Sequence, residues 1–168
     1  MKVKIIHPII IMVLLCFGTP ACSSGSDSQD PVAPSLETTA ETTGVSWVGY
    51  DEGMALGKKD GKKIMLHFYA DWCHYCKKMN SEIFSQSESA DFINNNFIPI
   101  RVNSDNEQQL AEAYRVSGLP TTWFLDKNGE EILNIPGFLP KEMFMSYMKF
   151  IQTDSYQTMS FRKFMGVE

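Results

Sequence analysis

Hydrophobic and polar positions between Val45 and Thr153 follow two periods, one typical of strands and one typical of helices. Four short segments are rich in apolar, β-branched or aromatic side chains, which predicts strands at residues 64–70, 97–102, 121–125 and 131–135. In three other segments apolar residues share one helical face, which predicts helices at residues 73–84, 106–116 and 140–153, and two shorter helices are expected at residues 51–59 and 87–94. Ser87 is expected to cap the third of these helices.

The order of these elements, roughly β-α-β-α-α-β-α-β-β-α, predicts the fold class. Early alternation of strands and helices followed by a hairpin at residues 127–129 is typical of a mixed sheet. We therefore expect an α/β fold in which a mixed central sheet is flanked by helices. Pro99 lacks an amide proton, so it is expected to limit hydrogen bonding in its strand.

The two ends of the chain follow other patterns. Residues 1–21 combine a basic start, an apolar centre too short to span a membrane and small residues near the end, which is typical of a signal peptide. Residues 22–44 are rich in polar residues and proline and lack aromatic residues, which predicts a flexible tether. One domain is therefore expected at residues 45–153. The aromatic tail at residues 154–168 is expected to pack on it, and docking of a partner is the alternative.

Cys22 sharpens the interpretation of the first segment. It follows Ala21 and precedes a Ser/Gly stretch, which resembles the cleavage site of a bacterial lipoprotein, where the cysteine carries the lipid. Thr19 and Pro20 depart from that pattern. The two interpretations are a lipid anchor at Cys22, which would hold the exported domain at a membrane, and ordinary cleavage that releases it.

Composition excludes several classes of protein. The chain has 168 residues, of which 43% are hydrophobic and 21% are charged, so it is neither disordered throughout nor a multi-span membrane protein. Its net charge of −5 argues against binding of nucleic acid, which requires clustered Lys and Arg. No signature of a metal, nucleotide or flavin is present, so we expect no cofactor besides a cysteine pair, and we expect a monomer.

Cys73 and Cys76 form a C-x-x-C motif where a predicted strand gives way to a helix. Free amide groups at a helix start stabilise an anion, so we expect a depressed thiol pKa and an exposed, attacking thiolate at Cys73. Cys76 lies one turn further on and is expected to be shielded and to act as the resolving thiol. A structural disulfide, a zinc site using His67 and His74, and an inert buried pair are the alternatives.

A resemblance to a known family adds to this pattern. Residues 72–77 (Trp-Cys-His-Tyr-Cys-Lys) resemble the thioredoxin active site, and residues 118–121 (Gly-Leu-Pro-Thr) resemble its cis-proline loop. Residues 69–73 and this loop are most similar to the C-terminal periplasmic domain of DsbD and related exported thioredoxin-like proteins. The resemblance covers residues 45–153 and implies the thioredoxin-like three-layer fold.

The resemblance implies roles for individual residues. Cys73 would be the nucleophile and Cys76 the resolving thiol. Pro120 would be cis and face the disulfide, and the backbone of Leu119 would pair with an extended substrate. The expected substrate-binding residues are Trp72, His74, Tyr75, Leu119 and Pro120.

Two histidines lie close to the motif. Related domains usually carry a buried Asp that helps to deprotonate the resolving cysteine, and His67 occupies the matching position. His67 is therefore either a proton relay, and so a catalytic residue, or a polar filler in the strand. His74, if protonated, would favour the Cys73 thiolate; as a neutral surface ring it would do little.

These observations predict an exported thiol–disulfide oxidoreductase of the periplasm or cell envelope. The resemblance favours reduction of protein disulfides, with electrons supplied by an upstream thiol protein. Oxidation or isomerisation of disulfides by the same fold is one alternative, because the residues between the cysteines do not define a reduction potential. A non-catalytic binding or chaperone module is the other.

Overall fold

Four strands form one mixed sheet at the centre of the protein. The computed structural model describes residues 44–167, so the predicted signal peptide, nearly all of the predicted tether and Cys22 lie outside the described residues. In the sheet order β2-β1-β3-β4, β1 pairs in parallel with β2 and antiparallel with β3, and β3 pairs antiparallel with β4. The strands are β1 (Lys63–Tyr69), β2 (Phe97–Asn103), β3 (Thr121–Leu125) and β4 (Glu131–Pro136).

Helices cover both faces of this sheet. Three helices and the π-helical turn between two of them pack on one face, and two helices pack on the other. The first face carries α2 (His74–Met79), α3 (Ser87–Asn96) and α5 (Lys141–Gln152), and the second carries α1 (Tyr50–Asp60) and α4 (Gln108–Ala113). The predicted α/β fold with a mixed sheet between helices is confirmed.

Burial of β1 on both faces explains its almost continuous apolar sequence. Successive side chains of a strand point to opposite faces. Met65 joins the core under α3 and α5, whereas Leu66 and Phe68 join the core under α1 and α4. His67 lies on the face of Met65, and Tyr69 at the end of the strand reaches the cysteine motif.

Several predicted boundaries differ from the structure. The predicted helix at residues 73–84 is interrupted, because α2 ends at Met79 and a π-helical turn occupies Asn80–Phe84. The predicted serine cap of α3 is wrong: Gln86 holds the N-cap position and Ser87 is the first helical residue. The additional strand that the predicted order β-α-β-α-α-β-α-β-β-α places before the first helix is reduced to a single bridge between Val48 and Ile100.

The tail beyond α5 lies against that helix. A 3-10 turn at Ser155–Gln157 leads to the short helix α6 (Phe161–Phe164). The Phe161 ring stacks on Tyr147 of α5, with 3.6 Å between ring centroids and 9° between ring planes. Within residues 44–167, none of the helices is both long enough and apolar enough to span a membrane.

Candidate active site

The two cysteines of the motif form a disulfide at the start of α2. Beyond the end of β1 the chain turns sharply, and the Cys73 N–H donates a hydrogen bond to the Ala70 carbonyl at 3.1 Å. Cys73 is the N-cap of α2, with extended backbone, and Cys76 lies in its first turn. The strand-to-helix junction that the sequence predicts therefore places both sulfurs at one edge of the sheet.

Both sulfur-bearing side chains are shielded in the disulfide state. Cys73 is 4% exposed and Cys76 is 2% exposed, so the predicted contrast between an exposed and a shielded cysteine is not found in this state. Tyr69 and Leu119 pack against the buried cluster that Ala70 forms with the two cysteines. The two sulfurs differ instead in their contacts, because the Cys76 N–H donates a hydrogen bond to Cys73 Sγ at 3.1 Å.

The Gly118–Thr121 loop stands beside this disulfide. Its Leu119–Pro120 peptide bond is cis, as the resemblance implies. The loop is held at both ends, since the Thr121 hydroxyl donates to the Gly118 carbonyl and the Gly137 N–H donates to the Pro120 carbonyl, each at 2.7 Å. Leu119 is thereby fixed against the cysteine pair.

A thioredoxin-like domain family matches residues 50–152, which include the sheet, the cysteine pair and the cis-proline loop. The chain belongs to the thioredoxin-like family. Among solved structures, a thioredoxin from Thermus thermophilus superimposes with a TM-score of 0.59 at 30% identity, covering 64% of this chain and 87% of that one. A DsbH oxidoreductase superimposes with a TM-score of 0.58 at 25% identity, covering 77% of this chain and 95% of that one.

Curated relatives of this thioredoxin-like chain include two kinds of larger protein. It is 36% identical over 93 residues to the thiol:disulfide interchange protein DsbD of Haemophilus ducreyi, a match that covers 52% of this chain and 16% of DsbD. It is 32% identical over 97 residues to the chloroplastic thioredoxin-like protein HCF164 of rice (Oryza sativa subsp. japonica), covering 57% of this chain and 35% of that one. The chain thus spans only about a sixth to a third of the length of these relatives.

Trp72 flanks the cysteines as an exposed ring held in one place. Its side chain is 70% exposed, and its Nε1–H donates a hydrogen bond to Asp105 Oδ2 at 2.8 Å. Asn103 supports the same loop, because its side-chain amide donates to Asp71 Oδ2 and its side-chain carbonyl accepts from the Asp105 N–H. An exposed indole fixed by a carboxylate offers an apolar contact next to the disulfide.

His74 and Tyr75 lie between the two cysteines of the motif in sequence. Both are exposed, with 5.5 Å between their ring centroids. The Tyr75 ring also lies 5.9 Å from the Phe138 ring, and Lys78 Nζ stands 4.7 Å from the centroid of Phe138. Of the predicted substrate-binding residues, Trp72, His74 and Tyr75 are thus exposed in or next to the motif, and Leu119 packs against the cysteine pair.

His67 is buried beneath the site and does not contact the sulfurs through a hydrogen bond. Its Nδ1 is 2.9 Å from the hydroxyl of Thr122, and its ring packs between Trp47 and Phe84. Burial, with a smaller contribution from the nearby Arg101 charge, lowers the pKa of His67 to about 3. A ring with so little affinity for a proton favours the polar-filler interpretation over the proton relay.

Arg101 is a further charged residue of this region that the C-x-x-C motif does not indicate. It pairs with His67 in the β1–β2 register, and its guanidinium carbon lies 3.9 Å from the centroid of the Tyr69 ring. A charged residue within an otherwise apolar strand was the available signal in the sequence. Within residues 44–167, no group of three or more His, Cys, Asp or Glu side chains is arranged to hold a metal ion.

Proposed function

We propose that this chain is an exported thiol–disulfide oxidoreductase that reduces disulfide bonds in protein substrates. The observation that carries the proposal is the Cys73–Cys76 disulfide at the start of α2, next to the cis Leu119–Pro120 loop of a thioredoxin-like domain. A buried structural bridge would need neither this junction nor an exposed indole beside it. The names of the relatives, thiol:disulfide interchange proteins among them, support the same chemistry.

The reaction proceeds by two thiol–disulfide exchanges. The reduced Cys73 thiolate attacks one sulfur of a substrate disulfide, which forms a mixed disulfide and releases the other substrate sulfur as a thiolate that takes up a proton. The Cys76 thiol loses its proton and attacks Cys73 Sγ, which restores the Cys73–Cys76 disulfide and frees the second substrate thiol. Two electrons have then passed to the substrate, and an upstream dithiol protein supplies two more.

Cys73 is the attacking residue because of its backbone position. As the N-cap of α2 its Sγ accepts the Cys76 N–H, a contact that stabilises negative charge on sulfur. The donor of this hydrogen bond is the backbone of Cys76 itself, so the contact distinguishes the Cys73 sulfur from the Cys76 sulfur. The contact favours a thiolate at Cys73, and the thiolate is the nucleophile.

Exposed groups around the pair suit an extended polypeptide. Among residues 44–167, the backbone N–H and C=O of Leu119 make no hydrogen bond, so both are available to pair with a substrate strand. Trp72, directly before Cys73, and Tyr75, between the two cysteines in sequence, present exposed rings. The substrate is therefore an extended protein segment that pairs with Leu119 and contacts these rings.

Replacing Cys76 with Ser tests this proposal directly. The Cys76→Ser variant lacks the resolving thiol, so it should accumulate mixed disulfides with its substrates that disappear on treatment with dithiothreitol. Non-reducing electrophoresis and mass spectrometry of the full-length protein from a bacterial host would identify the trapped proteins. Cys73→Ser is the matched control and should trap nothing. Full insulin-reducing activity in Cys73→Ser would exclude the proposed enzyme and favour a binding module.

Export and anchoring through Cys22 form the second part of the proposal. The basic and apolar leader at residues 1–21 and the Ala-Cys junction before a Ser/Gly stretch support it. In a bacterial host, radiolabelled palmitate should label the wild-type protein and not Cys22→Ser, and globomycin should cause the uncleaved precursor to accumulate. An unlabelled, normally cleaved wild-type protein would show that the domain is released instead.

A further inference from the structure

The first described residues and the cysteine pair lie at opposite ends of the sheet. Val48 bridges Ile100 in parallel, which places Val45 beside the start of β2. The register pairs Phe97, the first residue of β2, with Lys63, the first residue of β1, whereas the cysteines follow the end of β1. At about 3.3 Å per residue, the length of β1 separates the two ends by about 20 Å. We call the end at Lys63 the basal end.

The turn between α1 and β1 places three lysines at the basal end. Gly61, in the left-handed backbone conformation, ends α1 and reverses the chain. Lys58 and Lys59 precede it and are exposed, and Lys62 follows it and is half-buried. None of the ion pairs between described residues includes these three lysines, which we call the basic turn. Lys63 is left out of the basic turn, because a carboxylate lies 2.9 Å from its Nζ.

Helix α6 adds two cations on the other face of the sheet. α5 ends at the basal end, because the Gln152 carbonyl accepts a hydrogen bond from Lys63 Nζ at 3.4 Å. α6 packs on the last turns of α5 and exposes Arg162 and Lys163, and neither is in an ion pair between described residues. Two apolar side chains directly after α6 are also exposed, Met165 by 39% and Val167 by 60%.

Charge is separated along the sheet of a chain whose net charge is −5. α1 carries acidic residues in its first turn and basic residues in its last, and Asp51 of the first turn shares a surface pocket with Glu107. Asp105, two residues earlier, binds Trp72 beside the cysteines, so these carboxylates belong to the cysteine end. Carboxylates outside ion pairs at the basal end are Asp60, Asp126, Glu130 and Glu131. With Lys127 of the β3–β4 turn, the basic turn and α6 outweigh them by six charges to four.

We propose that the basal end docks on an anionic lipid surface through the basic turn and α6, and thereby holds the cysteine pair away from the membrane. This inference rests on the anchoring part of the proposed function. The predicted tether at residues 22–44 reaches the domain at the basal end, and a chain of this length is expected to span about 25 Å. Each cation near an anionic bilayer strengthens binding about fivefold. Exposed Met165 and Val167 suit a lipid surface better than a soluble polyanion.

Chemical labelling of lysines on vesicles tests this proposal. Lipidated protein from a bacterial host is reconstituted in vesicles of phosphatidylcholine alone or with about 30% phosphatidylglycerol, acetylated with a membrane-impermeant reagent and analysed by mass spectrometry. Lys77 and Lys78 of α2, next to the cysteines, are the internal reference. We expect phosphatidylglycerol to lower the labelling of Lys58 and Lys163, relative to this reference, about threefold or more. About 0.5 M NaCl should restore the labelling, because salt screens the attraction.

Two double variants separate charge from position. Lys58→Gln/Lys59→Gln should abolish the protection of Lys62, whereas the matched control Lys58→Arg/Lys59→Arg keeps both charges and should retain it. Circular dichroism verifies that both variants are folded. Equal relative labelling of the wild type in the two kinds of vesicle would overturn the proposal, as would full protection of Lys62 in the Gln variant. Protein recovered without lipid on Cys22 would refute the anchor, and the same labelling of that released protein, added to vesicles, then tests the docking surface separately.

Discussion

His67 shows how burial decides the chemistry of a single residue. The residue type and its position in the strand suit either a proton relay or a filler, and the sequence alone does not separate them. In the folded chain the ring packs between Trp47 and Phe84 and shares a hydrogen bond with Thr122. The folded-state pKa near 3 lies well below the unfolded value of 6.5, which makes His67 a source of acid sensitivity.

The sign of this effect follows from proton binding. Between pH 6.5 and about 3 the unfolded chain binds a proton at His67 that the folded chain does not, so stability falls as the pH is lowered through this range. We expect the wild type to lose up to about 1.4 kcal/mol of unfolding free energy per pH unit from this residue. His67→Gln, which keeps a polar group near Thr122, should show a shallower decline. Urea unfolding at several pH values between 7 and 4 measures both slopes.

Replacement of the exposed His74 provides the control for this comparison. His74→Gln removes an imidazole outside the core, so its stability should decline with pH as steeply as that of the wild type. Equal slopes for all three proteins would mean that His67 is not held neutral by burial. A slower resolving step in His67→Gln would revive the proton-relay interpretation, and stopped-flow kinetics of the Cys73–Cys76 exchange can detect it.

The candidate site divides into residues that a motif predicts and residues that only the fold brings together. The C-x-x-C pair and its preceding indole are contiguous in sequence, and the family resemblance predicts that the Leu-Pro step, which is distant in sequence, lies beside them. Arg101 and Thr122 reach His67 from the neighbouring strands β2 and β3, and Asp105 meets Trp72 across 33 positions. Such contacts depend on strand register, which the apolar pattern of an individual strand does not contain.

Strands and helices are predicted well where the apolar residues follow one regular spacing. All four predicted strands are present within one or two residues of their bounds, because buried strands are short apolar runs between turns. The helix after the cysteines is less regular: the Ser85 N–H donates to the Asn80 carbonyl, and the added residue in this turn brings both Ile83 and Phe84 into the core. The spacing of apolar residues along the chain does not show that one helical turn, at Asn80–Phe84, is wider than the others.

In helix α1, close packing on the sheet outweighs the low helix propensity of glycine. Glycines weaken a helix, yet α1 contains Gly53 and Gly57, and both are buried. A side chain at Gly53 would collide with Ile100, and one at Gly57 would lie 2.7 Å from Ile64 Cδ1. The two glycines therefore let α1 approach β1 and β2 closely, a role that the helical pattern alone does not indicate.

At the scale of the whole molecule, the alternation of strands and helices along the chain predicts a sheet between helices. It does not predict whether the tail at residues 154–168 packs on the domain or docks a partner. The density of aromatic residues after α5 suits both a segment that packs on the domain and a segment that docks a partner. In the structure, Phe150 of α5 contacts Tyr156, Phe161 and Phe164 of the tail. The tail thereby extends the core beneath α5, at a distance in sequence from the cysteine pair.

This arrangement predicts that the tail stabilises the domain without taking part in exchange. Phe161→Ala removes the ring that stacks on Tyr147 and meets Phe150, so it should lower the free energy of unfolding by about 1–3 kcal/mol. Met165→Ala removes a more exposed side chain from the same tail and should cost less. Thermal and urea unfolding measure the difference, and insulin reduction at 25 °C should be equal in both variants. If Phe161→Ala instead kept full stability and lost substrates from the Cys76→Ser trap, the tail would be a docking segment, since a ring that packs only on its own domain cannot select partners.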